Sequence, residues 1–320
     1  MTGKYDIEIY NSRVHYFLTV KRNITVIQGN SATGKTELIR LISDYEANGQ
    51  SSGITLLCNL RCTVLTAVDW KVRLQGLSKS IVFIDETAGF IKAKEFAEQV
   101  RGCDNYFVIV TRDDLSQIPY SIEEIYGLKD ASESQKYKQF GKVYNEMYKL
   151  YNLGIRTAVR PEVVITEDSG SGFEFYSLLF GNKCRSSAGK SKAVDCLMKE
   201  KGKSVLVIAD GAAFGSEIGK LMRYIETGKA DCVLYAPESF EYLILCSGIL
   251  DVPGEIFDET YNHADSTRFM SWEEFFTRYL VDISKETPFH YSKSKLSDSY
   301  KSESTIRRIA AQIPEQIKTE

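Results

Sequence analysis

Ile24-Thr-Val-Ile27 leads into Gly29-Asn30-Ser31-Ala32-Thr33-Gly34-Lys35-Thr36, and Glu37-Leu-Ile-Arg-Leu-Ile-Ser43 follows directly. The octet has the spacing G-x-x-x-x-G-K-[ST]. An apolar run before it and a helical period after it predict a strand, a phosphate-binding loop and a helix. Glycines at 29 and 34 let the backbone curl so that successive N–H groups face phosphate oxygens. The helix N-terminus adds the positive end of its dipole. Lys35 is placed to reach the β- and γ-phosphates, and the Thr36 hydroxyl to ligate Mg²⁺. The whole octet is the candidate nucleotide-binding segment.

A second run, Ile81-Val-Phe-Ile-Asp85-Glu86, is an apolar strand that ends in two carboxylates. Asp85 suits Mg²⁺ binding, and Glu86 suits the general base that polarises an attacking water. Paired carboxylates favour hydrolysis over transfer to a small acceptor, which disfavours small-molecule kinase chemistry. Tyr106-Phe-Val-Ile-Val110 is a further strand, ending at Thr111-Arg112. That dipeptide reads either as a γ-phosphate sensor or as a surface pair in a loop. The first half has no Asn/Thr-Lys-x-Asp guanine-reading motif, which leans toward ATP.

At 320 residues and 43% hydrophobic content, the chain can bury one large core or two ordinary ones. Its 40 basic and 43 acidic residues leave a net charge of −3, so nothing global demands nucleic acid or an anionic membrane. Met1–Ile9 alternates like a strand rather than a secretory leader, and no apolar stretch is long enough to span a bilayer. The 7 cysteines are scattered, and no Cys/His set matches a zinc site. They read as reduced thiols of a cytoplasmic protein.

Tyr5–Tyr10 and Val14–Val20 predict an opening hairpin. Ile54–Cys58 and Cys62–Thr66 are strand candidates. Trp70–Leu77 and Ile91–Arg101 have helical patterns, and Glu123–Leu128 completes a first α/β domain over 1–130. Lys129–Tyr151 is charged and Tyr-rich, and predicts a helical connector within 131–160. Over 161–250 a second α/β order restarts. Strand Val163–Thr166 ends at Glu167-Asp168, helix Phe173–Phe180 follows, and Lys183–Ser187 is a short strand. Helix Lys192–Lys199, strand Ser204–Ala209 ending at Asp210, helix Glu217–Glu226 and strand Cys232–Ala236 continue the alternation. Carboxylates at the ends of its first and third strands mark a candidate site. Strand ends in parallel sheets are often polar for purely structural reasons, so a structural role stays open. Residues 251–320 read as a helical extension, with Ser271–Leu280 amphipathic. Ser186-Ser-Ala-Gly-Lys190-Ser191 imitates a second phosphate loop, but Cys184 occupies its first glycine position.

The octet, the hairpin and Asp85-Glu86 together resemble the additional-strand, catalytic-glutamate P-loop ATPases of the ABC and AAA style, over roughly residues 5–130. The chain lacks an ABC-type signature and a histidine after Tyr106–Val110, so ABC-style composite sites are not implied. The second half resembles a Toprim domain like that of the overcoming-lysogenization-defect nucleases. That resemblance implies divalent metal, Mg²⁺ or Mn²⁺, at Glu167 and Asp210, and phosphodiester cleavage. Position 212 is Ala, which breaks the family's Asp-x-Asp pair. Ser171 replaces a further acidic residue, and Asp168, Glu238 and Glu241 are the candidate substitutes. Lys183–Lys192 is either a phosphate-backbone contact or a solvated loop.

The expected fold is therefore α/β: a P-loop NTPase parallel sheet, a Toprim-like α/β domain and a mostly helical C-terminal region. The expected function is an ATPase coupled to a domain that binds or cleaves nucleic acid, in defence against phage or mobile elements. The alternative is an ATP-dependent switch or scaffold whose degenerate Toprim-like half recruits a protein partner or a second copy.

Overall fold

Continuous apolar runs become buried strands, and alternating runs become the sheet's outer hairpin. The computed structural model describes residues 1–29, 33–132, 142–228 and 231–319, so Asn30, Ser31 and Ala32 lie outside the described residues. The chain forms two compact units. The first comprises Met1–Tyr151 with Glu259–Ser271, and the second Asn152–Asp258 with Trp272–Glu320. Both are α/β.

In the first unit, β1 (Tyr5–Tyr10) and β2 (Val14–Val20) pair antiparallel, with Tyr5 opposite Val20 and Tyr10 opposite His15. Asn11 closes the turn by accepting the N–H groups of Arg13 at 2.8 Å and Val14 at 3.0 Å. The other strands are β3 (Ile24–Ile27), β4 (Thr55–Leu57), β5 (Arg61–Val64), β6 (Ser80–Ile84), β7 (Asn105–Val110), β8 (Ile125–Asp130) and β9 (Val143–Lys149). They form one nine-stranded sheet in the order β4-β1-β2-β9-β8-β3-β7-β6-β5. The run β8-β3-β7-β6-β5 is parallel throughout. Every residue of β3, β6 and β7 is buried, as parallel strands covered on both faces require. Helix Lys35–Asn48 follows β3 and buries Leu38, Leu41 and Ile42 in a core shared with Ile7, Ile9 and Val108.

The predicted helix over 129–151 is corrected. Residues 133–141 lie outside the described residues, but β8 extends to Asp130 and Val143–Lys149 is a strand. β9 pairs antiparallel with β8 and parallel with β2, joining the hairpin to the central sheet. Its Lys, Glu and Met residues suit a helix in isolation. Two partner strands and the burial of Tyr144 and Asn145 outweigh that preference. The segment thus stays within the first unit instead of connecting domains. The helix expected over Ile91–Arg101 is broken into a 3₁₀ turn, Gly89–Lys92, and an α-helix, Lys94–Val100.

The second unit holds β10 (Val163–Thr166), β11 (Cys184–Ser186), β12 (Ser204–Ile208) and β13 (Asp231–Tyr235), all parallel, in the order β11-β10-β12-β13. Helices Ser171–Phe180, Ala193–Leu197 and Gly215–Glu226 make the crossovers, and Phe240–Cys246 follows β13. The chain turns one way from β10 to β11 and the other way to β12. The topological switch point therefore lies between β10 and β12, where open α/β sheets place their ligand crevice. The C-terminal part contributes helices Trp272–Ser284 and Glu303–Ala310 to this unit, while Glu259–Ser271 belongs to the first. No helix among the described residues is long and apolar enough to cross a membrane.

Candidate functional site

β3 delivers the chain to Gly29 with φ 128°, and helix Lys35–Asn48 begins directly after Gly34 at φ 84°. Both glycines occupy backbone that side chains disfavour. The Tyr16 hydroxyl on β2 donates to the Gly34 carbonyl at 2.8 Å, a support that the sequence reading missed. Lys35 is only 5% exposed. Its Nζ donates to the Gly29 carbonyl and to Thr33 Oγ1, both at 2.9 Å. The ammonium thus lies back across the loop, spanning residues 29 to 35. Burial lowers its pKa, as does Arg112 nearby, while Glu86 acts in the opposite direction.

Lys35, Thr36, Glu86 and Arg112 line one cleft of ≈ 570 Å³, together with Thr33 and Arg40. This brings together side chains from three separated segments of sequence. Asp85 and Glu86 leave the end of β6, beside β7 in the sheet. One Asp85 oxygen, Oδ2, accepts from Thr87 Oγ1 at 3.0 Å. The other, Oδ1, is buried with no hydrogen-bond partner among the described residues. Glu86 is gripped by Arg112, whose Nε and Nη2 donate to its two oxygens at 3.0 and 3.3 Å. Thr111 is separated from this arrangement. Its hydroxyl accepts the Asp113 N–H at 3.0 Å and donates to the Asp113 carbonyl at 3.3 Å, closing its own turn. Of the two sensor candidates, Arg112 alone lines the cleft.

In the second unit, Glu167 follows β10 and Asp210 follows β12, on either side of the switch point. Glu167 Oε2 accepts the Asp210 N–H at 3.1 Å, and Asp210 Oδ1 accepts the Phe240 N–H at 3.1 Å. Asp168 Oδ2 accepts the Gly170 N–H at 3.3 Å. Glu241, 1% exposed, accepts the Tyr291 hydroxyl at 2.7 Å through Oε1, while its Oε2 is buried with no hydrogen-bond partner among the described residues. Tyr291 in turn shares a 2.6 Å hydrogen bond with Ser171.

These groups are poorly compensated electrically. Burial and the Glu273 charge push the Glu167 carboxyl up to about 7. Burial, Glu273, Glu167 and Glu241 push Asp210 well above the carboxylate range. Asp168 is raised by burial and by Glu241. The nearby cations are Lys190, which favours the charged form of Glu167, and Lys293, which pairs with Glu273. Lys190 also donates to the Ala213 carbonyl at 3.0 Å, so the basic loop does border the carboxylates. Among the described residues, no three His, Cys, Asp or Glu side chains converge to hold a metal ion. Of the substitutes considered for the broken Asp-x-Asp pair, Asp168 and Glu241 are in the cluster. Glu273 and Lys293 were not anticipated; they come from an amphipathic helix and a basic tail with no local signal of a site.

No family model, no curated protein and no solved structure matches the chain.

Proposed function

We propose that the chain binds and hydrolyses ATP in the first unit, and that its Toprim-like second unit binds or cleaves nucleic acid in defence against phage or mobile elements. The observation that carries the nucleotide reading is the single cleft containing Lys35, Thr36, Glu86 and Arg112. The strand order supports it: β7 lies between β3, which leads to the loop, and β6, which leads to the carboxylates. The orphaned Asp85 Oδ1 and the Thr36 hydroxyl suit Mg²⁺. Bound there, Mg²⁺ would neutralise charge between the β- and γ-phosphates. Lys35 would exchange its Gly29 and Thr33 partners for phosphate oxygens. Arg112 would meet the γ-phosphate, freeing the Glu86 carboxylate to orient a water and accept its proton.

One observation favours the alternative for the second half. Among the described residues its carboxylates do not converge on a metal position, and Lys293 already engages Glu273. That suits an ATP-dependent switch whose second unit recruits a partner protein. The deciding experiment measures phosphate release and nucleic-acid cleavage on the full chain with Mg²⁺ or Mn²⁺. Phosphate release lost in Lys35→Ala and Glu86→Gln supports the ATPase, and release that survives Lys35→Ala removes it. Metal-dependent cleavage lost in Asp210→Asn selects the nuclease. ATP hydrolysis without cleavage selects the switch.

A further inference from the structure

Cys58 ends the run leaving β4, Cys62 lies in β5, and the bend Asn59-Leu60 folds one toward the other. We propose that Cys58 and Cys62 form a thiol modification site, with Cys58 attacking a small hydroperoxide and Cys62 resolving the product to an intramolecular disulfide. The inference is independent of the nucleotide reading.

The geometry carries it. The Leu60 peptide unit holds both sulfurs: its N–H donates to Cys58 Sγ at 3.5 Å, and its carbonyl accepts from Cys62 Sγ at 3.9 Å. The two have different exposure. Cys62 is buried at 6%, whereas Cys58 is half-buried and lines a cavity of ≈ 560 Å³ with Leu57, Asn59, Lys4 and Asp6. A small oxidant entering that cavity meets Cys58 first, with Cys62 held behind it. Such a pairing of an accessible thiol with an adjacent resolving thiol is what reversible oxidation requires.

The acidities agree with this division of labour. Hydrogen bonds from Cys62 and from the Leu60 and Asn59 amides bring Cys58 down to about 7. Cys62 is pushed far up by its bond to Cys58 and by burial, so it keeps its proton. Burial moves the thiols elsewhere in the opposite direction from Cys58: Cys184 to about 11, Cys232 to about 12, and Cys103 and Cys246 upward.

The chemistry balances with hydrogen peroxide as oxidant. The Cys58 thiolate attacks one peroxide oxygen. The O–O bond breaks, an S–O bond forms, and hydroxide leaves to take a proton from solvent as water. The Cys62 sulfur then attacks the Cys58 sulfenic acid. The S–O bond breaks, the S–S bond forms, and the departing hydroxide takes the Cys62 proton as a second water. Two thiols lose two electrons, and one peroxide gains them.

The test uses the full chain, oxidised by hydrogen peroxide at pH 7, then alkylated and mapped by mass spectrometry. A disulfide joining Cys58 to Cys62, reversed by dithiothreitol and formed before the other cysteines are lost, is expected. Cys62→Ser should instead accumulate a dimedone-reactive sulfenic acid at Cys58. Without oxidant, Cys58 should alkylate about threefold faster at pH 7 than an ordinary thiol, its higher thiolate fraction being partly offset by lower nucleophilicity. Oxidation that spreads over the cysteines without a Cys58–Cys62 link would overturn the proposal. So would a Cys58 that alkylates no faster than Cys232 in the wild-type chain.

Discussion

Glu167→Gln should make the protein more stable at pH 8 in the absence of divalent metal, although it removes a side chain of the candidate site. In the fold the Glu167 carboxyl titrates near 7 against an ordinary value of 4.5, because burial and Glu273 penalise its charge. Its folded affinity for the proton thus exceeds its unfolded affinity. Raising the pH from 4.5 to 7 ionises the unfolded chain first and draws stability away, at about 1.4 kcal/mol per pH unit. Above 7 the loss is complete, at up to about 3 kcal/mol, and closer to ~1–2 kcal/mol if the cluster relaxes with an effective dielectric of about 20. Glutamine keeps an acceptor for the Asp210 N–H that Glu167 Oε2 receives at 3.1 Å, so the charge is the main change. Denaturant unfolding of the full chain, with amide exchange in β10 and β12 as a local readout, should show the variant ahead at pH 8. The gap should close toward pH 4.5. If the proposed metal site binds Mn²⁺, the gap should narrow, since a ligand at a hundredfold excess over its Kd stabilises the wild type by about 2.7 kcal/mol. A variant less stable than wild type at pH 8, or one offset by the same amount at both pH values, would refute the reasoning.

Gly34→Ala should destabilise the first unit more than Gly29→Ala. Its Cβ would meet the Tyr16 hydroxyl at 2.7 Å, whereas among the described residues nothing lies within 4 Å at Gly29; both positions carry left-handed strain of about 1–2 kcal/mol, and the contact at Gly34 should add to it in urea unfolding. Arg112→Ala should leave stability within about 0.5 kcal/mol, because the Glu86 pair is largely solvated. ATP turnover should nevertheless fall at least about tenfold at saturating nucleotide; unchanged turnover would make Arg112 a surface partner only. Lys293→Met should tighten Mn²⁺ binding about tenfold by removing a cation from beside Glu273, and an unchanged titration would place Lys293 outside any metal's field.

Much of the fold was legible because its signals are local. Ile24–Ile27, Ile81–Ile84 and Tyr106–Val110 are continuous apolar runs, and each became a strand buried on both faces. The second unit read nearly residue by residue, since short apolar runs and helical periods alternate there without ambiguity. Val143–Lys149 was not legible. Its Val and Tyr residues favour a strand, but its Lys, Glu and Met residues suit a helix, and pairing with β2, which lies far away in sequence, decides between them. The division of Glu259–Ser271 from its neighbours was hidden for the same reason: Asn23 donates to the Phe269 carbonyl at 2.8 Å, a contact no local pattern announces.

The site residues divide along the same line, and their energetics explain why. Lys35, Asp85 and Glu86 sit in local sequence motifs, so sequence spacing alone marks them as candidates. Glu241, Glu273 and Lys293 are joined to Asp210 only by packing around the switch point, where their combined field acts on it. In the two candidate sites, the carboxylate oxygens Asp85 Oδ1 and Glu241 Oε2 are buried without a donor among the described residues. Each such oxygen costs about 1–3 kcal/mol that a small substitution could recover. The first follows β6, and the second lies in the helix whose Phe240 N–H binds Asp210. Under the proposed function, both oxygens await a partner that supplies positive charge. For Asp85 that proposal makes the partner a metal–nucleotide complex. For Glu241 the choice is between a divalent cation and the ammonium of Lys293, and neutralising Lys293 biases the balance toward the cation.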